Sequence, residues 1–257
     1  MFDRNSNHNI SSDKAAERDR YDLSAAATSI DQVVSSVESI PLHLREPYDR
    51  YEELIGLYVH SSSKVLELGC GLGTFSHIPL DLGASLVALD ISHNSLKVFV
   101  ERFSRFGEKA NTIVGDIETL PFAPKSFDVV IAAGVLSYGD NLKVREEIHR
   151  VLVDGGTFVC VDSLNNNLIY IMNRWWHFMR RRRTLSTLQR MPTLRYLEDF
   201  GARFSCSTVV YFGSVSWLIS LVAGLLRPTK ARALSTFLDR KVGVRGSAFK
   251  FVMVVKK

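Results

Sequence analysis

Five short apolar runs, rich in β-branched residues, recur through the middle of the chain. They are residues 64–68, 85–89, 112–114, 127–132 and 157–161. Runs of this length are typical of parallel strands buried on both faces. Between them, apolar residues recur at helical spacing in two stretches. One helix is predicted to begin at a Ser92 cap and contains Leu96, Phe99, Val100, Phe103 and Phe106. The other is predicted to stop at Gly155 and Gly156 and contains Val144, Ile148, Val151 and Leu152. The alternation predicts an α/β fold, a parallel sheet with helices on both faces.

The two ends of the chain follow other patterns. Residues 15–38 are rich in Ala, Ser and charge, which favours a helix. Residues 209–226 carry no charge over 18 positions, but Gly213 and three serines interrupt the run. We therefore expect a strand that ends near Phe212, then a helix over 214–226 that packs on the domain or lies at a membrane interface rather than crossing it.

The composition is that of a globular protein with a large core. The 257 residues are 46% hydrophobic and 23% charged, which excludes a disordered chain and favours one domain. Cys70, Cys160 and Cys206 lie far apart, so neither a disulfide framework nor a zinc site is predicted. The first twenty residues are polar and lack a secretory apolar segment, and we expect a cytoplasmic protein.

The charge is distributed unevenly along the chain. Residues 1–164 hold 15 Lys and Arg against 24 Asp and Glu, and residues 165–257 hold 17 against 3. The net charges of −9 and +14 suggest that the last third faces something anionic: a phosphate-bearing substrate, a membrane surface or nucleic acid. Within it, Arg180 to Arg183 are either a solvated helix end or an anion clamp over a substrate.

Candidate chemistry concentrates where the predicted strands end. Residues 65–75 read as a strand that enters a glycine turn and then a helix, and Gly69, Gly71 and Gly73 let the backbone approach a ligand closely. Glu67 precedes the turn and suits a ligand with a cationic centre. Asp90 and Asp116 follow the next two strands, so three acids line one edge of the sheet.

These motifs together resemble the class I S-adenosylmethionine-dependent methyltransferases. The matching stretches, in order, are residues 65–73, 87–92, 115–122, 126–130 and 147–156. The resemblance implies a Rossmann-like methyltransferase sheet whose last strand, within 247–256, runs antiparallel beside a strand within 202–211. It also implies a tail and lid helix over 1–44 and a methyltransferase domain over 45–257, with a basic aromatic lid at 165–200 and an insertion at 212–246.

The resemblance assigns S-adenosyl-L-methionine as the cofactor and places its parts on named residues. Glu67 and the glycines hold the methionine part, Asp90 the ribose and Asp116 the adenine. The full cofactor set is Glu67, Gly69, Cys70, Gly71, Gly73, Asp90, Ile91, Asp116, Ile117, Ala133 and Gly134. A nicotinamide-dependent oxidoreductase is the rival, but the glycines here are spaced GxGxG and follow an acid.

The acceptor side is assigned through three candidate catalytic residues. Tyr138 and Asp162 follow strands at the ligand edge, and His177, among aromatics, is either a base or an ordinary residue of an amphipathic helix. A looser resemblance to surface-polysaccharide methyltransferases implies O-methylation of a sugar or of a lipid-linked glycan precursor, with an anionic acceptor and peripheral membrane contact. The alternative is C- or O-methylation of a small aromatic or quinone precursor. No metal is assigned, and nucleic acid is not the expected partner.

Overall fold

A seven-stranded sheet forms the centre of the protein. The computed structural model describes residues 12–28, 40–167, 170–172, 176, 185–214, 219, 226–242 and 245–257. The strands are β1 Lys64–Leu68, β2 Ser85–Asp90, β3 Ala110–Val114, β4 Phe127–Ala133, β5 Leu152–Ser163, β6 Cys206–Phe212 and β7 Lys250–Lys256. Their order in the sheet is β3-β2-β1-β4-β5-β7-β6, and β7 runs antiparallel to both of its neighbours. The five predicted parallel strands and the antiparallel last strand are confirmed.

Helices cover the sheet on both sides. Those in the described part of the chain are α1 Ser12–Ala26, α2 Glu46–Tyr58, α3 His77–Asp81, α4 His93–Arg102, α5 Asn141–Val151, α6 Leu185–Gln189, α7 Leu194–Gly201 and α8 Pro228–Val242. Short 3-10 turns lie at Leu42–Leu44, Ser104–Lys109, Leu136–Tyr138 and Arg245–Ser247.

The core lies in two layers, one on each face of the sheet. Leu66 and Leu68 of β1 pack into the layer beneath α5 and α7, whereas Val65, on the opposite face, packs into the layer beneath α2 and α4. This alternation places apolar side chains of one strand in both layers, which is why the strands appear as continuous apolar runs in the sequence.

Two predicted helices end earlier than their apolar spacing indicates. α5 ends at Val151 because Leu152 is extended, with φ −69° and ψ 139°, and already starts β5, so the expected stop at Gly155 lies within that strand. α4 ends at Arg102 because Phe103, with φ −105° and ψ 15°, leaves the helix, and Phe106 lies in a 3-10 turn. The predicted Ser92 cap is confirmed, since its side chain accepts from the Ser95 N–H.

The helix predicted directly after the glycine turn begins later than expected. Gly71 and Gly73 have φ of +53° and +78°, which a right-handed helix does not accommodate. Residues 71–76 therefore form turns, and α3 starts at His77 and spans only five residues.

The structure describes part of the two terminal segments. α1 begins at residue 12, before the helix predicted over 15–38, and covers 15–26 of it, whereas residues 29–39 lie outside the described part of the chain. β6 ends at Phe212 as predicted, but most of the helix expected over 214–226 also lies outside it. Among the described residues, no helix has the length and apolar character needed to cross a membrane.

Candidate active site

A cavity of 460 Å³ opens at the carboxyl ends of β1, β2, β3 and β4. Its volume falls within the range of about 300–1,000 Å³ that is usual for small-molecule sites. Because these four strands are adjacent and parallel, their carboxyl ends bring distant parts of the sequence to one edge of the sheet. The wall is formed by this edge and by residues of α1 and of the segment 187–190.

Glu67 is a buried acid at the end of β1, where it lines the cavity. Its side chain is 3% exposed and accepts a hydrogen bond of 2.5 Å from the Ser76 hydroxyl. Burial raises the pKa of Glu67 from its ordinary value of 4.5 to about 7, against the lowering effect of Ser76. A cationic ligand group in the cavity would favour the charged carboxylate.

Asp90 ties the glycine turn to the end of β2. One carboxylate oxygen accepts from the Gly71 N–H at 2.8 Å and the other from the Ser92 N–H at 2.8 Å. A carboxylate has about four acceptor positions, so about two remain for a ligand. Burial raises the pKa of Asp90, and the backbone N–H donors oppose this. The arrangement suits a ligand with two neighbouring hydroxyls.

Gly73 and Gly71 have different roles in the turn. A Cβ on Gly71 would meet no atom within 4 Å, because the space beside it is the cavity, whereas a Cβ on Gly73 would lie 2.4 Å from the Phe103 ring. Gly73 therefore allows α4 to pack against the turn and does not itself line the cavity. Arg102 fixes the same turn by donating to the Leu72 and Gly73 carbonyls at 3.0 and 2.6 Å.

α1 forms the roof of the cavity. At its start, the Lys14 ammonium lies 2.5 Å from a carboxylate oxygen of Asp116 and 2.9 Å from one of Glu118. One turn beyond its middle, Asp22 accepts from the Ser92 hydroxyl at 2.6 Å. These contacts hold α1 against the ends of both β2 and β3.

A pair of tyrosines closes the site after β4. The Tyr21 hydroxyl of α1 donates to the Tyr138 hydroxyl at 2.8 Å, and an Arg20 nitrogen donates to the same oxygen at 3.4 Å. Burial raises the pKa of Tyr21 far above its ordinary value, so Tyr21 stays protonated and acts as a donor. Because the Tyr138 oxygen accepts from these donors, its own hydrogen can point at a bound molecule.

Eleven of the fourteen predicted site residues line this one cavity. They are Glu67, Gly69, Cys70, Gly71, Asp90, Ile91, Asp116, Ile117, Ala133, Gly134 and Tyr138. Gly73 lies behind the wall, as described above.

Asp162 is held elsewhere: its carboxylate accepts from the Leu136 N–H at 2.9 Å and the Ser163 N–H at 2.6 Å. It therefore supports the 3-10 turn that carries Tyr138 rather than the cavity wall. His177 and the Arg180 to Arg183 run lie outside the described residues.

Sequence reasoning missed the residues that α1 and the 187–190 segment contribute. Asp13, Lys14, Glu17 and Tyr21 recur at helical spacing and line the roof, together with Thr28, Thr187 and Arg190. The spacing of the α1 residues is a signal for one helix face. The Thr187 hydroxyl donates to Glu17 at 3.2 Å and links the two segments, a contact across 170 positions that local pattern does not reveal.

The fold and the site together define the class of the domain. Residues 66–160 match the family model of a methyltransferase domain. The antiparallel β7 between β5 and β6 also differs from the usual 3-2-1-4-5-6 order of dinucleotide-binding folds, which sets aside the nicotinamide alternative. Residues 66–160 thus resemble a methyltransferase domain, in agreement with the sequence prediction of a class I S-adenosylmethionine-dependent methyltransferase, and the cavity is lined by residues predicted to hold S-adenosyl-L-methionine.

Named relatives share this domain over part of their length. A sterol 4-C-methyltransferase of Caenorhabditis elegans is 33% identical over 127 residues, 45% of this chain and 38% of that protein. A demethylmenaquinone methyltransferase of Thermobifida fusca is 32% identical over 145 residues, 56% of this chain and 61% of that protein. The chain therefore spans less than two thirds of these relatives.

A solved structure shares the fold. The geranyl diphosphate C-methyltransferase of Streptomyces coelicolor, in complex with Mg²⁺, geranyl diphosphate and S-adenosyl-L-homocysteine, superposes with a TM-score of 0.58 at 16% identity. The match covers 81% of this chain and 79% of that one.

Proposed function

We propose that the whole protein is a methyltransferase whose acceptor is a small, mainly apolar molecule of the aromatic or isoprenoid-quinone type, methylated on oxygen or carbon. The observation that carries this proposal is the wall of the cavity beyond the predicted cofactor residues. Besides the polar residues of the roof, that wall carries a group of aliphatic and aromatic side chains: Tyr21, Leu72, Phe75, Val135 and Tyr138. Apolar walls with a few polar groups are what small apolar ligands require.

The proposed chemistry is a direct displacement. S-adenosyl-L-methionine supplies an activated methyl group on a positively charged sulfur. In the transfer, the methyl carbon would exchange its bond to sulfur for a bond to the acceptor oxygen or carbon, the sulfur would keep the electron pair, and the acceptor would lose a proton to solvent or to a base. In such a reaction, positioning and electrostatics supply much of the acceleration.

Individual residues divide the work in this proposal. Glu67 and Asp90 hold the cationic and ribose parts of the cofactor, and Asp116 faces its adenine. The Tyr138 hydroxyl orients the acceptor by donating a hydrogen bond, and Tyr21 fixes that hydroxyl. Asp162 acts as a positioning residue through the turn that bears Tyr138.

A sugar hydroxyl on a phosphate-bearing or lipid-linked carrier is the second candidate acceptor. Arg190 favours it, because this cation lines the cavity and lies 3.7 Å from Glu118, leaving much of its guanidinium for an anion. The relatives named above support the apolar acceptor instead, since their names refer to a sterol, a quinone and an isoprenoid.

Two measurements test the proposal in order. Calorimetric titration with S-adenosyl-L-homocysteine should give micromolar affinity, and reduced nicotinamide dinucleotides should give none; the reverse would overturn the cofactor assignment. Release of S-adenosyl-L-homocysteine is then followed with phenols, quinols and prenyl diphosphates, and in parallel with nucleotide sugars and lipid-linked sugars. Turnover confined to the sugar compounds would replace the first acceptor class by the second.

A matched pair of variants tests the acceptor side. Tyr138→Phe should lower kcat/KM for the acceptor by about tenfold, because one hydrogen bond to the reacting molecule is lost, and should leave cofactor affinity unchanged. Tyr58→Phe is the control, because Tyr58 lies on α2 away from the cavity lining. Equal kinetics for both variants would remove Tyr138 from the acceptor site.

A further inference from the structure

Helix α8 has one face that docks on the protein. Arg232 pairs with Asp49 at 2.8 Å, the Ser235 hydroxyl donates to the His43 carbonyl at 3.0 Å, and the Thr236 hydroxyl donates to Glu46 at 2.8 Å. Ala231 is buried on the same side. These contacts fix α8 against the start of α2 and the turn before it, so the opposite face is turned outward.

The outward face carries a stripe of cationic and apolar residues. Lys230, Leu234, Phe237 and Lys241 follow one another at spacings of four, three and four, which places them on one side of the helix, and Arg227 precedes them on that side. All five side chains are exposed, with Leu234 at 40% and Phe237 at 57%. None of the three cations makes a salt bridge with any residue in the described ranges.

We propose that this face, formed by Arg227, Lys230, Leu234, Phe237 and Lys241, binds an anionic lipid surface. Leu and Phe enter the boundary between headgroups and acyl chains, and the flanking cations contact the headgroups. The one acid of α8, Asp239, is turned inward and accepts from the Gly213 N–H at 2.8 Å, so no carboxylate of this helix opposes an anionic surface.

The charge of the face favours a lipid surface over a second copy of the chain. A two-fold interface through this face would bring its own cations against one another, which is unfavourable. A purely phosphate-bearing polymer would use the cations and leave two large apolar side chains without a partner. A lipid surface satisfies both kinds of side chain at once.

Lipid binding by this face requires neither the acceptor nor catalysis. α8 lies close to the wall of the cavity through α2, where Tyr48, next to the Asp49 partner of Arg232, stacks on Phe75 at 6.0 Å between ring centroids. Phe75 lines the cavity. Attachment through α8 would therefore hold the methyltransferase domain beside a reservoir of apolar molecules.

The test is sedimentation of the full chain with vesicles, without any methyl-transfer assay. The wild type should bind vesicles of phosphatidylglycerol and phosphatidylcholine, bind pure phosphatidylcholine weakly, and lose binding as salt is raised. Lys230→Gln with Lys241→Gln should weaken partitioning by about thirtyfold, since each lysine near such a surface contributes about 1 kcal/mol. Leu234→Ser with Phe237→Ser should weaken it by about tenfold or more.

Matched control variants distinguish binding through this face from nonspecific electrostatic and hydrophobic adsorption to vesicles. Lys64→Gln with Lys97→Gln removes two exposed lysines elsewhere, and Leu57→Ser with Leu142→Ser removes two leucines that are each 62% exposed. Both controls should bind vesicles like the wild type, and all variants should retain affinity for S-adenosyl-L-homocysteine.

Three outcomes would overturn the inference. The first is that the wild type fails to bind anionic vesicles. The second is that the lysine variant binds as the wild type does. The third is that the Leu234 and Phe237 variant keeps full binding, which would mean that the face binds polyanions through its charge alone. A wild type that is dimeric and becomes monomeric in the Leu234 and Phe237 variant, without vesicle binding, would assign the face to a second copy.

Discussion

Glu67 should couple cofactor binding to pH. Its carboxyl is buried, and that burial raises its pKa to about 7 in the free protein. A cationic cofactor group beside it favours the carboxylate, so binding below pH 7 requires the loss of a proton. Affinity should therefore fall as the pH is lowered through 7 and level off above it.

The magnitude follows from the fraction of ionised Glu67. With a free-protein pKa of about 7 and a much lower pKa in the complex, the Kd for S-adenosyl-L-homocysteine should be about tenfold higher at about pH 6 than at about pH 8. Calorimetry in buffers of different ionisation enthalpy should show the release of about half a proton per site near pH 7. Glu67→Gln should remove the pH dependence and weaken binding at high pH, while its amide oxygen still accepts from Ser76.

The same pKa also makes a prediction for the stability of the free protein. Because the folded-state pKa of Glu67 is raised from 4.5, its contribution to stability is fully present below about pH 4.5 and is lost as the pH rises through 7. The charged carboxylate then costs about 3 kcal/mol at neutral to basic pH. Without cofactor, Glu67→Gln should therefore be more stable than the wild type at about pH 8, with the difference shrinking towards about pH 5, as measured by urea unfolding.

Three results would refute this reasoning. A Kd that does not change between about pH 6 and pH 8 would mean that Glu67 is already ionised in the free protein. A Glu67→Gln variant with the pH dependence of the wild type would assign the proton to another group. If Glu67→Gln were less stable than the wild type at about pH 8, the claim that burying the carboxylate destabilises the free protein would be wrong.

Two further pairs of variants test the glycine turn and the roof. Gly71→Ala and Gly155→Ala both place a side chain at positive φ, +53° and +78°, with no atom within 4 Å, so each should cost about 1 kcal/mol in urea unfolding. Of the two, Gly71→Ala should lose cofactor affinity by calorimetry, and equal affinities would remove Gly71 from the site. Asp22→Ala should speed both amide hydrogen exchange across α1 and cofactor release, because it removes the contact with Ser92. Asp19→Ala, which removes only an exposed ion pair, should change neither rate. Equal exchange rates in the two variants would show that Asp22 does not hold the roof.

The parts of the fold that sequence predicted are those that local pattern determines. An apolar run of five residues between polar segments can bury both of its faces only inside a sheet, so β1, β2 and β4 were evident. The lengths of α4 and α5 were overestimated because apolar spacing continues past the helix end. Leu152 is apolar in either state, and only its pairing with Phe127 of β4 makes it a strand residue.

The cofactor side of the site was predictable because parallel topology gathers the strand ends. Because Glu67, Asp90 and Asp116 lie at or just after the ends of adjacent parallel strands, the sheet brings them to one edge whatever conformation the loops adopt. Asp162 also lies near the end of a strand at this edge, β5, yet its carboxylate accepts from the N–H of Leu136. A turn leaves backbone N–H donors that need hydrogen-bond acceptors, and a nearby buried carboxylate is such an acceptor. Position at a strand end therefore does not by itself distinguish a ligand contact from a turn support.

The roof shows most clearly where sequence reasoning stops. Lys14, Glu17 and Tyr21 lie on one face of α1, and a polar face at helical spacing is equally typical of a helix exposed to solvent. What turns this face inward is its set of partners, Asp116 and Tyr138, which lie more than one hundred residues away along the chain. Opposite charges and hydroxyls can be matched across the cavity only after the sheet has placed them there. A polar helix that precedes an acid-lined sheet edge is thus best interpreted as a pair with that edge, since each side supplies what the other lacks.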